Sequence, residues 1–142
     1  MIPVFSANFG GPVSVVRFIS KELAKRHEVT VYTTAATSHR HDFIKSPIEV
    51  KKWGYRTVYF PRNLKFFGFN ISKTMAEALK ENIQKYDIVH LHSWRHFQDI
   101  IVHHYARRYN VPYVLQVHGS LPKNNTKKNL KIIAKISNTF SQ

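Results

Sequence analysis

Apolar and polar positions along this chain switch between two periods, and the switches predict its elements. In residues 87–92 (DIVHLH), Ile88, Val89 and Leu91 supply the aliphatic side chains of a buried strand. Residues 95–109 then repeat at helical spacing, with Phe97, Ile101, His104, Tyr105 and the stem of Arg108 on one side. Pro112 ends that helix, and residues 113–117 form a second apolar strand. Strand, crossover helix and strand make a parallel, right-handed unit. Units of this kind put their working groups at the carboxyl ends of the strands. Those ends hold His92, Ser93 and Trp94 in one case, and His118, Gly119 and Ser120 in the other.

The preceding part of the chain repeats the theme. Residues 1–5 are short and apolar, and SANFGG follows. Pro12 suits a first helical turn, and Val13, Val16, Ile19 and Leu23 recur at helical spacing to about Arg26. Residues 27–34 (HEVTVYTT) form a β-branched strand. A strand feeding the glycine turn should be about five residues long. Most of residues 1–5 is already approach to the loop, so the first strand looks cut short. Residues 35–46 read as a polar loop, and residues 48–53 and 55–60 as two short strands around Gly54. Ser72 is placed to cap a helix running to Lys85, with Met75, Leu79 and Ile83 inward. Beyond Ser120 a polar stretch leads to a last amphipathic helix carrying Leu130, Ile133, Ile136 and Phe140. No repeat or linker interrupts the 142 residues, so the expectation is one domain over 1–142, an α/β fold with a mainly parallel sheet.

Composition narrows the function classes. Without cysteine there is no disulfide framework and no thiolate metal site, and an intracellular protein fits. No secretory leader or spanning apolar run is visible. The formal net charge of +14 attracts phosphates, whether on nucleic acid, anionic lipid or a nucleotide, and also fits a lysine-rich surface.

Two glycines, Gly10 and Gly11, between strand and helix let the backbone approach a ligand and expose helix N-terminal N–H groups to an anion such as a diphosphate. The plain alternative is a tight turn that needs glycine. His90 and His92 share one side of a strand, and His118 ends its neighbour. Zinc binding, hydrogen bonding to the local backbone, and a neutral imidazole holding a ligand hydroxyl or phosphate are the three readings. HxH without a further fixed ligand is a poor metal signature, and His118 suits the ligand role best. The aromatic–basic stretch 62–69 and the lysine-rich helix 127–142 read either as membrane-interface anchors or as ordinary packed and solvated elements. There is no GxSxG elbow, no HExxH and no acid–base carboxylate pair, so the equipment of a self-contained hydrolase is missing.

The combination of PVFSANFGGPVSVVRFISKELAKRHEVTVYTT, YDIVHLHSW and VPYVLQVHGSLP resembles the N-terminal domain of glycosyltransferase family four, across roughly residues 2–122. The resemblance implies a Rossmann-like, acceptor-side half of the GT-B arrangement, facing a C-terminal domain that binds most of a nucleotide-sugar donor. It implies sugar transfer with retention to a sugar, lipid or polysaccharide acceptor, and no metal or other cofactor. Carried over by motif, Gly10 and Gly11 face the donor diphosphate, and His118 lies beside the transferring sugar as the catalytic-site histidine. His92, Ser93 and Gly119 line the acceptor side of the cleft. The donor-binding domain and its glutamates are absent from these residues, so the 142-residue chain reads as a fragment that turns over no nucleotide sugar alone. The expected location is the cytoplasm, including the inner face of the membrane, with peripheral lipid contact and no nucleic-acid partner. The competing class is a non-catalytic basic module that binds nucleic acid or an anionic membrane surface.

Overall fold

The computed structural model describes residues 1–6, 10–35, 44–66 and 69–118. Helix α1 (Gly10–Leu23) leads to strand β1 (Thr30–Thr34), and β2 (Ile48–Lys52) and β3 (Tyr55–Phe60) follow as a hairpin. A second small hairpin, β4 (Leu64–Phe66) and β5 (Phe69–Ile71), precedes α2 (Lys73–Asn82) and a 3-10 turn (Ile83–Lys85). Then come β6 (Val89–Leu91), α3 (Phe97–Arg108) and β7 (Tyr113–Leu115). The fold is α/β, with parallel pairs β1–β3 and β6–β7 and antiparallel pairs β2–β3 and β4–β5. The sheet is small and partly mixed rather than uniformly parallel.

Residues 1–4 connect its two halves. The Ile2 amide donates to the Tyr32 carbonyl at 3.1 Å, the Thr34 amide to the Pro3 carbonyl at 3.2 Å, and Val4 pairs in parallel with Thr34. On the other side the Met1 amino group donates to the His90 carbonyl, and the His92 amide donates back to the Met1 carbonyl at 2.8 Å. The short first strand therefore occupies the centre. Strand order becomes β2, β3, β1, residues 1–4, β6, β7.

Packing follows the two-residue period of a strand. On one face Ile2, Phe5, Val31 and Tyr55 bury Val13 and Val16 of α1. On the other, Phe60 and Leu91 meet Met75 and Leu79 of α2, Ile83, and Ile101, Val102 and Ala106 of α3. Ser72 caps α2 as its position predicts, its hydroxyl accepting from the Met75 amide at 3.3 Å.

Three local expectations need correction. Helix α3 buries Gln98, Ile101, Val102 and Ala106, a stripe rotated from the predicted one, and leaves Arg108 exposed. Ile88 is exposed, because β6 begins only at Val89. Gly10 and Gly11 do not precede α1 but form its first two residues, with Gly10 at φ +50°. The segments 36–43 and 119–142, which include His39, His41, Gly119 and the last predicted helix, lie outside the described residues. Among the described residues no helix is long and apolar enough to cross a membrane.

Candidate functional site

Sheet order alone defines a cleft. From residues 1–4 the chain leaves toward α1 and β1, on one side of the centre. From β6 it leaves toward α3 and β7, on the other. All these strands run parallel, so both departures are at the same, carboxyl edge of the sheet. Loops that diverge from neighbouring central strands leave a crevice between them, the usual ligand position in open α/β sheets. The start of α1, with Gly10 and Gly11, belongs to one departure. His92, Ser93, Trp94 and the start of α3 belong to the other, and His118 follows the adjacent β7.

The histidines come together. The rings of His90 and His92 lie 4.0 Å apart, and those of His92 and His118 stack at 5.3 Å. His92 Nδ1 and His118 Nε2 are 3.1 Å apart, a hydrogen bond between two ring nitrogens. Val89 and Leu91 pack toward α2 and α3, so alternation turns His90 to the opposite face. Gln116, next to β7, hydrogen-bonds His90. Burial pushes the pKa of His92 down to about 3, and the Met1 amino group, His90 and His118 add repulsion to a second proton. His90 is lowered for the same first reason, burial. His92 is therefore a neutral imidazole at physiological pH. Among the described residues no group of three or more His, Cys, Asp or Glu is arranged to hold a metal ion.

Ser93 is buried, and its hydroxyl donates to Asp99 Oδ1. Asp99 Oδ2 accepts from the His96 amide at 2.8 Å. Asp99 thus ties residues 93 and 96 to the first turn of α3, across Arg95, whose φ is +64°. A non-glycine residue held in the left-handed region costs about 1–2 kcal/mol, so surrounding contacts must enforce it. Reading the sequence missed Asp99. Its signal was the acidic residue three positions after a helix N-cap, one half of a capping box. Trp94 Nε1 and both amide atoms of Gln98 are buried in this turn without a protein partner among the described residues.

Gly10 and Gly11 differ in what the fold asks of them. The positive φ of Gly10 favours glycine. Gly11 has no such angle, and a Cβ there would meet nothing within 4 Å. Both are exposed. The protein's own packing gives no reason for glycine at position 11.

Comparison with known proteins returned no matching curated protein and no matching solved structure. The family model described as Glycosyltransferase Family 4 matches residues 9–142, a span that takes in the α1 start, the histidine cluster and the Asp99 clamp. The chain belongs to glycosyltransferase family 4.

Proposed function

We propose that these residues form the acceptor-side half of a GT-B active site, which moves a sugar with retention from a nucleotide-sugar donor to a sugar, lipid or polysaccharide acceptor. The supporting observation is the shared edge of the sheet, where the glycine start of α1 and the His92–His118 pair flank one switch point. In this reading the α1 N-terminus receives the donor diphosphate. Helix N–H groups and the dipole favour an anion there, and an open, side-chain-free Gly11 allows close approach. His118 contacts the transferred sugar, while His92, Ser93 and Gly119 lie toward the acceptor. Ser93 acts through its bond to Asp99 rather than by offering its proton to a ligand. A second, donor-binding domain has to close the cleft, and no metal takes part.

The test uses the 142-residue chain with millimolar nucleoside-diphosphate sugars, followed by NMR. The amides of Gly10, Gly11 and Val13 and the ring of His118 are expected to shift together. Gly11→Ala should weaken the effect about tenfold, equivalent to ~1.4 kcal/mol, with no loss of stability, since Ala fits the helical backbone there. Shifts scattered elsewhere, or none, would sink the reading. Sugar transfer by this chain alone would contradict its being half a site.

A second element of the proposal is peripheral contact with anionic lipid, favoured by a surface on the α1 side. Trp53 is 45% exposed, with Lys52 Nζ 4.4 Å from its ring centroid and Arg17 Cζ at 5.5 Å. Phe18, beside Arg17 on α1, is 67% exposed. Trp53 and Gly54 both have positive φ in the β2–β3 turn, a geometry that prefers Asn-Gly. Aromatic groups among cations suit a headgroup region. Binding should require anionic vesicles, weaken with salt, and fall in Trp53→Asn; equal binding to neutral vesicles would exclude it.

A further inference from the structure

Above the ordinary histidine range of pH, two imidazoles joined by one hydrogen bond have two ways to share a proton. In the first, His118 donates from Nε2 and His92 accepts at Nδ1, so that both rings carry their hydrogen on Nε2. In the second, His92 donates from Nδ1 and His118 accepts at Nε2, so that both carry it on Nδ1. A free neutral histidine prefers hydrogen on Nε2, and only the first arrangement grants that preference to both rings. The bond made by one ring nitrogen thereby decides what the other can do.

We infer that His92 is a positioning residue that holds His118 in the Nε2–H tautomer, leaving Nδ1 of His118 as a bare acceptor for a ligand hydroxyl. The inference rests on the reading of His118 as a sugar contact and sharpens it. An acceptor-only nitrogen welcomes an O–H donor and repels the oxygens of a phosphate or carboxylate. His118 would then select a hydroxyl of the sugar, and the task of meeting the diphosphate would fall to the α1 N-terminus. His92 is well placed to hold its partner. It is only 5% exposed, its amide is anchored on the Met1 carbonyl at 2.8 Å, and its ring lies against His90, which Gln116 holds in turn.

The experiment is a long-range proton–nitrogen correlation spectrum of the imidazole rings at about pH 8, above the ordinary histidine range, without any ligand. Wild type should show His118 protonated at Nε2 and bare at Nδ1. His92→Phe keeps a ring but removes the bond, and should leave His118 in a mixture of tautomers. His92→Asn places an amide oxygen near the lost Nδ1 and should restore the single form, whereas His92→Gln, whose amide reaches the Nε2 position, should not. A His118 carrying hydrogen on Nδ1 or on both nitrogens in the wild type would overturn the inference. So would an unchanged tautomer in His92→Phe. Because no sugar is present, this result is independent of donor binding. An intact tautomer with no nucleotide-sugar shifts would remove the functional reading alone, and donor shifts with the opposite tautomer would remove the inference alone.

Discussion

The two halves of the sheet, joined through residues 1–4, are built for different ends. The half formed by β1, β2 and β3 turns Val31 and Tyr55 toward α1 and fills that face with apolar side chains. The half formed by β6 and β7 turns His90 to the same face, and adds His92 and His118. Desolvating an imidazole disfavours its protonated form, so placing His90 and His92 here is a cost that scaffolding alone does not require. Yet Phe60, from the first half, packs with Leu91, Val102 and Met75 of the second. The comparison teaches that chemistry is concentrated in one half, while rigidity is supplied by both.

Each half carries one tryptophan, Trp53 in the β2–β3 turn and Trp94 after β6, so single-tryptophan variants report on them separately. The largest effect should come from Phe60→Ala, about 3–5 kcal/mol of lost stability in denaturant unfolding. Both tryptophans should report the same midpoint. Two separate midpoints would mean that the halves fold independently.

Next in size is pH. The folded pKa of His92, near 3, lies below its ordinary value of 6.5, so the unfolded chain binds the extra proton first. The stability it contributes is complete above pH 6.5 and is lost as pH falls from there toward 3. The slope should be about 1.4 kcal/mol per pH unit within that window, reaching a few kcal/mol in all. His92→Asn should flatten the profile. An unchanged slope would show that His92 is not the group held neutral.

These two effects also mark what the residues disclosed by pattern and what they did not. Helix α2 was legible down to its Ser72 cap, because capping and the spacing of Met75, Leu79 and Ile83 are local signals. The turn at Gly54 was legible for the same reason, as was the pairing of His90 with His92 across a two-residue period. The sheet's centre was not. Residues 1–4 find their partners 30 and more positions away, and hydrogen bonds of that range leave no local trace. The inner face of α3 was misread because Gln98, a polar residue, is wholly buried while Tyr105 is only partly so. Family resemblance pointed at His118, but nothing in the sequence showed that His92 would bond to it.

A smaller change should separate the halves further. Asp99→Ala removes both anchors of the 93–96 turn and should cost about 1–3 kcal/mol. Ser72→Ala, an ordinary cap loss outside the histidine half, should cost about 1 kcal/mol. The distinguishing measurement is amide exchange. Asp99→Ala should loosen residues 92–96 beyond its global effect, and Ser72→Ala should not. Equal loosening would reduce Asp99 to a simple cap.

The central placement of residues 1–4 has a consequence for biosynthesis. Their first partner, Tyr32, lies 30 residues past Ile2, but the first on the other side, His90, is 89 residues past Met1. During translation, at about 5–20 residues per second, one edge of the innermost strand is paired for several seconds before its second neighbour has been made. For that interval the nascent chain presents open backbone donors and acceptors, the kind of edge that invites pairing with another chain. Slower synthesis of residues 35–88 should therefore increase aggregation of the nascent protein, and a chaperone that covers an extended apolar segment should suppress it.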